Sequence, residues 1–225
     1  MDTEGFTDKA SKNPEERQLY EEYDYITAYS KHTDLRIERD GFKRAIGSTP
    51  QAGQDWDEHG QLQLNFLISR GLTPEKTLLD FGCGTGRLAC KAVPYLNPGN
   101  YTGADISEGC LLNCMTLAQD WSDKKPRFVR SEGEFPHGTY HLIWAHSVIN
   151  HSPREIVERL FQQLQSMAFG EFCFTFKEGE DKRTGLKQFR HSFEALQSMA
   201  KKAGLKAEKL EMVWPASQKT MRVWR

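Results

Sequence analysis

The chain has 225 residues, 38% of them hydrophobic and 27% charged, which favours one globular domain with a sizeable core and an additional N-terminal segment. A net charge of −1 without a dense basic stripe argues against a nucleic-acid partner, and no apolar run approaches the ~20 residues of a membrane span. Five cysteines without framework spacing and a first segment without an apolar signal region favour free thiols and predict a cytoplasmic protein.

The N-terminal quarter predicts helices and a loop around the main domain. Residues 1–15 are polar and are expected to fray, and apolar residues at helical spacing predict a helix over residues 15–30. Glycine and turn-forming residues predict a loop or cap at residues 40–60. An amphipathic helix is expected at residues 61–70. We therefore predict an N-terminal helical cap or lid at residues 1–60.

From residue 77 onwards, strands alternate with helices. Strands are predicted at residues 77–81, 100–105, 127–130, 140–146, 171–176, 206–214 and 219–224, and helices at 86–95, 108–121, 153–168 and 193–203. Repeated β-α units predict a mostly parallel sheet with helices on both faces, and two consecutive final strands predict an antiparallel edge hairpin. The fold class is therefore α/β, a Rossmann-like doubly wound sheet, in a domain of residues 61–225.

The segment TLLDFGCGTGRLAC, at residues 77–90, follows the first predicted strand with three glycines: Gly82, Gly84 and Gly86. Ligands of open α/β sheets bind at the carboxyl ends of the strands, where glycine lets a ligand approach the backbone closely. Asp105 ends the next strand, where its carboxylate can accept hydrogen bonds from two ribose hydroxyls. The spacing G-x-G-x-G is one residue shorter than the nicotinamide fingerprint. These residues predict half of a nucleoside site.

Asp80 distinguishes this loop from a phosphate-binding loop. A carboxylate at the end of the strand would repel a pyrophosphate and would favour a cationic ligand group. S-adenosylmethionine has a ribose, an adenine and an ammonium but no phosphate, so we predict it as the cofactor and S-adenosylhomocysteine as the product. The alternative is a glycine-rich turn with a chance acid. Cys110 and Cys114 are four residues apart, but no further ligands follow at metal-site spacing, so no metal is expected.

The segments described so far resemble the class I S-adenosylmethionine-dependent methyltransferases over roughly residues 55–225. LLDFGCGTGRLA is similar to their motif I, and YTGADIS to their ribose-binding acidic loop. WAHSVINHSPREIVERL, FCFTF and WPASQKTM are similar to segments of a bacterial-type subgroup that acts on small molecules. The chain departs from that subgroup at residues 140–141, 149–150 and 168–170. The resemblance implies a seven-strand methyltransferase fold, whereas the departures leave the substrate open.

The resemblance also implies roles for residues at the strand ends. Asp80 would reach the ammonium, Asp105 the ribose, and Ile106 the adenine ring. Glu132 would contact the adenine amino group, which the backbone of Ser131 or Gly133 could equally contact. The implied cofactor-binding residues are Asp80, Gly82, Cys83, Gly84, Gly86, Asp105, Ile106, Glu132 and His146.

Two histidines near the fourth predicted strand are candidates for catalysis. The sulfonium methyl is already activated, so the protein mainly supplies proximity and orientation, although an alcohol or acid nucleophile can need a base. His146 follows the strand, and His151 matches a histidine of the small-molecule subgroup. For His151, a structural hydrogen bond at the start of the following helix is the alternative.

Aromatic and basic residues outside the strands have two interpretations each. Tyr23, Tyr25, Trp56 and His59 could form a substrate-contacting lid that excludes water, or could only pack a helix on the sheet. A basic group in the segment after the fifth strand could be a solvated face or could contact an anionic substrate. It comprises Lys182, Arg183, Lys187 and Arg190.

These observations predict a methyltransferase acting on an oxygen or nitrogen atom of a small molecule, such as a secondary metabolite. The expected partner is a small-molecule acceptor, with no nucleic acid or membrane, and the protein is expected to be a monomer or homodimer. The alternatives are cyclisation or other sulfonium chemistry at the same site, and cofactor binding without turnover. A nicotinamide oxidoreductase is disfavoured by the loop spacing and by Asp80.

Overall fold

The structure is a computed structural model and describes residues 13–46 and 55–225. The remaining residues include most of the predicted frayed start and part of the predicted loop at residues 40–60, so those two predictions lie partly outside what is described.

The N-terminal part of the described chain is helical. Its helices are α1 (Pro14–Glu22), α2 (Tyr25–Asp40), α3 (Phe42–Ala45) and α4 (Trp56–Ser69). The single helix predicted over residues 15–30 is in fact two, because Asp24 acts as an N-cap and accepts hydrogen bonds from the backbone of Ile26 and Thr27. The helix predicted from residue 61 begins at Trp56, because Asp55 caps it in the same way. The predicted division at residue 60 stays a prediction and falls inside α4.

Nine strands and four further α-helices follow in the described chain, together with short 3-10 segments. The strands are β1 (Leu78–Phe81), β2 (Tyr101–Asp105), β3 (Arg127–Arg130), β4 (Thr139–Ala145), β5 (Ala168–Phe176), β6 (Lys182–Gly185), β7 (Gln188–Arg190), β8 (Lys206–Trp214) and β9 (Gln218–Trp224). The helices are α5 (Ala89–Tyr95), α6 (Glu108–Leu117), α7 (Arg154–Gln163) and α8 (Phe193–Lys202).

Seven strands form one sheet in the order β3-β2-β1-β4-β5-β9-β8. The first five strands pair in parallel, and β9 pairs antiparallel with both β5 and β8. The predicted doubly wound sheet with an antiparallel C-terminal edge is therefore confirmed. The strand order reverses between β1 and β4, and ligands of open α/β sheets bind at such a reversal.

Several boundaries differ from the prediction: the helix predicted over residues 108–121 ends at Leu117, where a 3-10 segment follows, and three other differences have identifiable reasons. Helix α5 begins at Ala89, because the three loop glycines before it have positive φ angles that a right-handed helix excludes. Helix α7 ends at Gln163, and β5 begins at Ala168, since Ala168 already pairs with Thr139 of β4. The segment after β5 contains the short hairpin β6–β7, which the sequence did not predict.

The core lies on both faces of the sheet, and β5 contributes to each. Phe172 and Phe174 belong to the cluster that α7 and α8 cover, whereas Cys173 packs with Trp144 and Trp214 in the cluster on the other face. Successive side chains of a strand point to opposite faces, so a strand buried on both sides reads as a continuous apolar run. None of the helices in the described ranges combines the length and apolar character that crossing a bilayer requires.

Candidate active site

A cavity of about 340 Å³ lies where the strand order reverses. Its lining includes Asp80 and Asp105 at the ends of β1 and β2, and His146 directly after β4. Helix α2 contributes Tyr29, and the turn between β6 and β7 contributes Lys187. The volume falls in the range of roughly 300–1,000 Å³ that small-molecule pockets occupy. The parallel strands therefore form the floor of a ligand-sized site that α2 and the hairpin help to enclose.

The glycine loop forms a close-fitting wall of this cavity. Gly82 has a φ of +76°, and a Cβ atom there would lie 2.3 Å from Cγ2 of Val148. Gly84 has a φ of +56° and donates its backbone N–H to Asp105 Oδ2 at 2.8 Å. Gly82 and Gly84 line the cavity together with Cys83, and their predicted contact with the cofactor stays a prediction. The loop therefore presents backbone where any larger residue would fill the space or strain the chain.

Gly86 has a different role from the other two loop glycines. It is not among the cavity-lining residues, and a Cβ atom on it would lie 3.2 Å from Sγ of Cys114 in α6. With a φ of +93°, Gly86 lets the loop turn against α6 before α5 begins. The structure thus supports a packing role for Gly86.

Asp80 is a buried carboxyl group in the cavity wall, only 3% exposed. Its Oδ2 accepts a hydrogen bond from the hydroxyl of Tyr101 at 2.7 Å. Burial raises the pKa of Asp80 to about 7, although the Tyr101 hydrogen bond and the nearby Arg87 act in the opposite direction. Burial likewise lowers the pKa of Arg87 to about 10. A cationic ligand group in this wall would favour the ionised form of Asp80, which matches the ammonium of the predicted cofactor.

Asp105 connects two loops at the floor of the cavity. Its Oδ2 accepts from the backbone of Gly84, and its Oδ1 accepts from the backbone N–H of Ser107 at 2.9 Å. Burial raises the pKa of Asp105, while these backbone donors lower it. An ionised carboxylate offers about four acceptor positions, so two backbone bonds leave capacity for two ribose hydroxyls. The position predicted for ribose binding is therefore chemically suited to it.

Some of the residues predicted to contact the adenine line the cavity, and one lies at the surface. Ile106 lines the cavity, as do Ser131 and Gly133. The side chain of Glu132 is exposed and is not part of the lining. The geometry thus favours the alternative stated for this segment, in which the neighbours of Glu132 contact the adenine. The role of Glu132 itself stays a prediction.

His146 lies in a buried aromatic cluster at the end of β4. Its ring centroid is 4.7 Å from that of His59 on α4 and 5.0 Å from that of Trp214. Burial lowers the pKa of His146 well below its usual range, and the charge of Arg87 adds to this effect. Burial also lowers the pKa of His59 to about 3. Within the described chain, Nδ1 of His146 has no hydrogen-bond partner. Both rings are therefore neutral, and only His146 lines the cavity.

His151 is oriented by a hydrogen bond that the sequence did not predict. Its Nδ1 lies 2.6 Å from the backbone oxygen of Lys187, and only a protonated Nδ1 can donate to that oxygen. The neutral ring therefore has its lone pair on Nε2. Burial lowers the pKa of His151 to about 3, and the charge of Lys187 contributes next. Tyr25 donates its hydroxyl to the His151 backbone oxygen at 2.7 Å. The turn after β4 is thus tied to both the hairpin and α2.

The predicted lid residues are only partly brought together. Tyr25 lines the cavity, whereas Tyr23 is 41% exposed and is not part of the lining. Trp56 is buried with its ring 6.2 Å from that of Phe42, and it packs α3 against α4. His59 does not line the cavity, but its ring packs against that of His146, which does. The packing alternative therefore describes Trp56 better than the lid hypothesis does.

The cavity also contains Lys187, for which the sequence left a solvated face and a substrate contact open. Further polar lining residues were not among the predicted site residues, and they include Arg36, Gln63, Arg87, Ser147, Asn150, Lys177, Gln188 and Gln218. Ser147 has a φ of +61°, an uncommon value for a residue other than glycine, and its backbone N–H donates to Thr175 Oγ1 at 2.8 Å. Strained backbone of this kind clusters at functional sites, but it has no signature in the sequence.

The comparisons with known proteins agree with this geometry. A family model described as a methyltransferase domain matches residues 79–168, which include the glycine loop, Asp105 and the turn that contains His151. This part of the chain is therefore similar to a methyltransferase domain. The matched stretch runs from β1 to the first residue of β5, so it covers the parallel strands that form the floor of the cavity.

Solved structures share the fold over most of the chain. Magnesium protoporphyrin IX methyltransferase from Synechocystis PCC 6803, determined with bound S-adenosylmethionine, has a TM-score of 0.70 at 17% identity, over 90% of this chain and 98% of that one. An S-adenosylmethionine-dependent methyltransferase from Clostridium acetobutylicum has a TM-score of 0.59 at 14% identity, over 87% and 98%. The [4+2]-cyclase SpnF has a TM-score of 0.56 at 13% identity, over 72% and 80%.

These similarities confirm the methyltransferase fold and the resemblance to class I S-adenosylmethionine-dependent enzymes. The predicted cofactor agrees with them, since the Synechocystis enzyme was also determined with S-adenosylhomocysteine. Identities of 13–17% indicate a shared fold and leave the acceptor undetermined. The cyclase shows that this architecture also supports chemistry other than methyl transfer.

Proposed function

We propose that the protein binds S-adenosylmethionine and transfers its methyl group to an oxygen or nitrogen atom of a small-molecule acceptor. The observation that supports this most directly is the pair of buried carboxyl groups, Asp80 and Asp105, on adjacent strands beside the glycine loop. A dinucleotide would place a pyrophosphate against Asp80, whereas S-adenosylmethionine would place an ammonium there.

In this proposal, different residues of the chain bind different parts of the cofactor. Asp80 holds the ammonium, the backbone of Gly82 and Gly84 contacts the amino-acid part, and Asp105 binds the ribose hydroxyls. The bound cofactor supplies an activated methyl group. The protein therefore has to orient the acceptor and exclude water, and a cavity partly covered by α2 and the hairpin is suited to both.

The two candidate histidines take different roles in the proposal. His151 presents Nε2 with a lone pair, so it accepts a hydrogen bond from an acceptor O–H or N–H and orients the opposite lone pair of that atom. A ring with a pKa of about 3 is a weak base near neutral pH, so positioning is its main contribution. His146 shapes the cavity wall within the aromatic cluster.

Helix α2 closes the cofactor end of the cavity. Ser30 donates its hydroxyl to the backbone oxygen of Ile106 at 2.9 Å, and Asp34 accepts from Ser107 and from the backbone of Gly109. These contacts join the helix to the loop after β2, where the ribose and adenine are proposed to bind. The lid function predicted for the N-terminal segment is therefore assigned to α2.

Thermal unfolding tests the cofactor assignment. S-adenosylmethionine and S-adenosylhomocysteine, each at about 100 times its dissociation constant, should stabilise the protein by roughly 2.7 kcal/mol, whereas NAD should not. The Asp105→Ala variant should lose this stabilisation, and Asp123→Ala, at an exposed site in the 3-10 segment after α6 and outside the cavity lining, should keep it. Stabilisation by NAD alone, or by none of the three compounds, would contradict the proposal.

Product analysis by mass separates methyl transfer from the chemistry of the cyclase. A gain of one methyl group by an acceptor, with S-adenosylhomocysteine released in equal amount, identifies a methyltransferase. An isomerised acceptor of unchanged mass, with the cofactor intact, would instead favour cyclisation or another non-methylating use of the site. Binding without any product across a broad acceptor panel would favour a cofactor-binding protein.

A further inference from the structure

The buried carboxyl groups and Lys177 lie at opposite sides of the cavity. Asp80 and Asp105 follow β1 and β2, whereas Lys177 follows β5. In the sheet order β2-β1-β4-β5, the outer two of these strands are three steps apart, which corresponds to about 14 Å at the usual strand spacing. The acidic side is the one proposed to hold the cofactor. The opposite side faces the space that remains for an acceptor.

Three cationic side chains from separate elements line the cavity. Lys187 comes from the turn between β6 and β7, Lys177 from the end of β5, and Arg36 from α2. Arg36 is partly neutralised, because its Nε lies 3.7 Å from a carboxylate oxygen of Asp40. Lys177 and Lys187 both line the cavity, and we call them the lysine pair.

Lys187 is the more deeply placed member of the lysine pair. It is only 8% exposed, and its Nζ lies 5.5 Å from the ring centroid of Tyr29, within cation–π range. A charge in a cavity wall acts through a lower effective dielectric than a charge at the surface, so it attracts an anion more strongly. The positive field is also felt by the neighbouring ring, since the charges of Lys187, Lys177 and Arg36 all lower the pKa of His151, after burial.

We infer that the acceptor of the proposed methyl transfer has an anionic group, a carboxylate or a phosphate, that the lysine pair binds. The inference rests on the proposed function and specifies its substrate class. The anionic group is an anchor and not the methylated atom, because a cation in direct contact with a nucleophile lowers its reactivity. The aromatic rings of Tyr25, Tyr29 and His151 lie around the same space, so the acceptor has a flat apolar part as well.

Small aromatic anions serve as probes for this site. Benzoate and phenyl phosphate represent the two anionic groups, and benzamide is the neutral control of similar shape. Binding is measured by calorimetry with and without saturating S-adenosylhomocysteine. We expect at least one anion to bind about tenfold more tightly than benzamide, since hydrogen bonds to charged groups contribute more than neutral ones. The two anions together show whether the site prefers a carboxylate or a phosphate.

Charge-removing variants connect that binding to the lysine pair. Lys187→Gln should weaken the anion by about tenfold or more, Lys177→Gln by several-fold, and Lys187→Arg should retain most of the affinity. Lys202→Gln is the matched control, because Lys202 is an exposed lysine of α8 outside the cavity lining. If Lys187→Gln does not fold, Lys177→Gln still provides the test. Each folded variant should keep the stabilisation by S-adenosylhomocysteine.

The outcomes separate this inference from the proposed function. Equal binding of benzamide and the anions, anion affinity unchanged in the folded lysine variants, or no anion binding at tens of millimolar would overturn the anionic acceptor. In those cases S-adenosylhomocysteine binding would leave the cofactor assignment intact. Anion binding that depends on Lys187 while S-adenosylhomocysteine does not bind would support the anion site and contradict the proposed function.

Discussion

Cofactor affinity should increase as the pH rises through the pKa of Asp80. Burial raises the pKa of this carboxyl group to about 7, and only its ionised form attracts the cofactor ammonium. With a pKa of about 7, roughly 9% of the carboxyl groups are ionised at pH 6 and about 91% at pH 8. Apparent affinity scales with the competent fraction, so the dissociation constant should fall about tenfold over this interval, or about 1.4 kcal/mol.

The same carboxyl group affects the stability of the ligand-free protein in the opposite direction. Its pKa in the folded state lies above the unfolded value near 3.9, so its stabilising contribution is present below pH ~4 and is lost as the pH rises through about 7. A bound cofactor ammonium would stabilise the ionised carboxylate and so offset the cost of burying its charge. The stabilisation produced by S-adenosylhomocysteine should therefore grow between pH 6 and pH 8, while the intrinsic stability contribution of Asp80 declines.

Calorimetric titrations with S-adenosylhomocysteine at several pH values test this prediction. The Asp80→Asn variant has a side chain of the same shape but no carboxyl group. Any pH dependence that it retains therefore comes from titration of the ligand itself. A second control is 5′-methylthioadenosine, which has the adenosine part but no amino-acid end and should bind without this pH dependence. A flat profile in the wild type, or an equal slope in Asp80→Asn, would refute the assignment of Asp80 to the ammonium.

Two further substitutions test the fold around the site. Gly82→Ala combines a positive φ with a close contact to Val148, so we expect the free energy of unfolding to fall by about 3 kcal/mol or more and cofactor binding to be lost. Gly99→Ala is the control, because Gly99 has a similar φ but no atom near its Cβ position; it should cost about 1 kcal/mol and should bind the cofactor normally. Equal losses of the two variants in urea unfolding would contradict the steric argument. Glu171→Gln removes a carboxylate that accepts from two arginines and should cost about 2 kcal/mol at pH 7, whereas Glu194→Gln, on the exposed face of α8, should change little in the same assay.

The cofactor side of the site was predictable from local sequence. The strand before Gly82, the glycine spacing and Asp105 at the end of the next strand lie within one β-α-β unit, whose connectivity fixes where they meet. Boundaries were less predictable. The start of α5 depends on backbone angles of the glycine loop, and the starts of α2 and α4 depend on single capping aspartates that residue composition does not reveal.

The acceptor side could not be predicted in the same way. Arg36, Lys177 and Lys187 are far apart in sequence, and only the packing of α2 and the hairpin on the sheet brings them together. In the sequence, Lys187 was one of four basic residues with two interpretations. Its burial follows from the hairpin, whose strands of four and three residues are too short for a periodic pattern. The partner of His151 was missed for the same reason, since it is a backbone oxygen of that turn.

The hydrogen bonds that hold α2 have a consequence for the rate of exchange at the site. Ser30 binds the carbonyl oxygen of Ile106, next to the carboxylate proposed to hold the ribose, so nucleoside entry and departure require this helix to loosen. Because α2 is hydrogen-bonded to the loop that is proposed to bind the nucleoside, the residence time of the ligand depends on local unfolding of this helix. Amide hydrogens of α2 should therefore exchange more slowly when S-adenosylhomocysteine is bound, and product release rather than chemistry would then limit turnover.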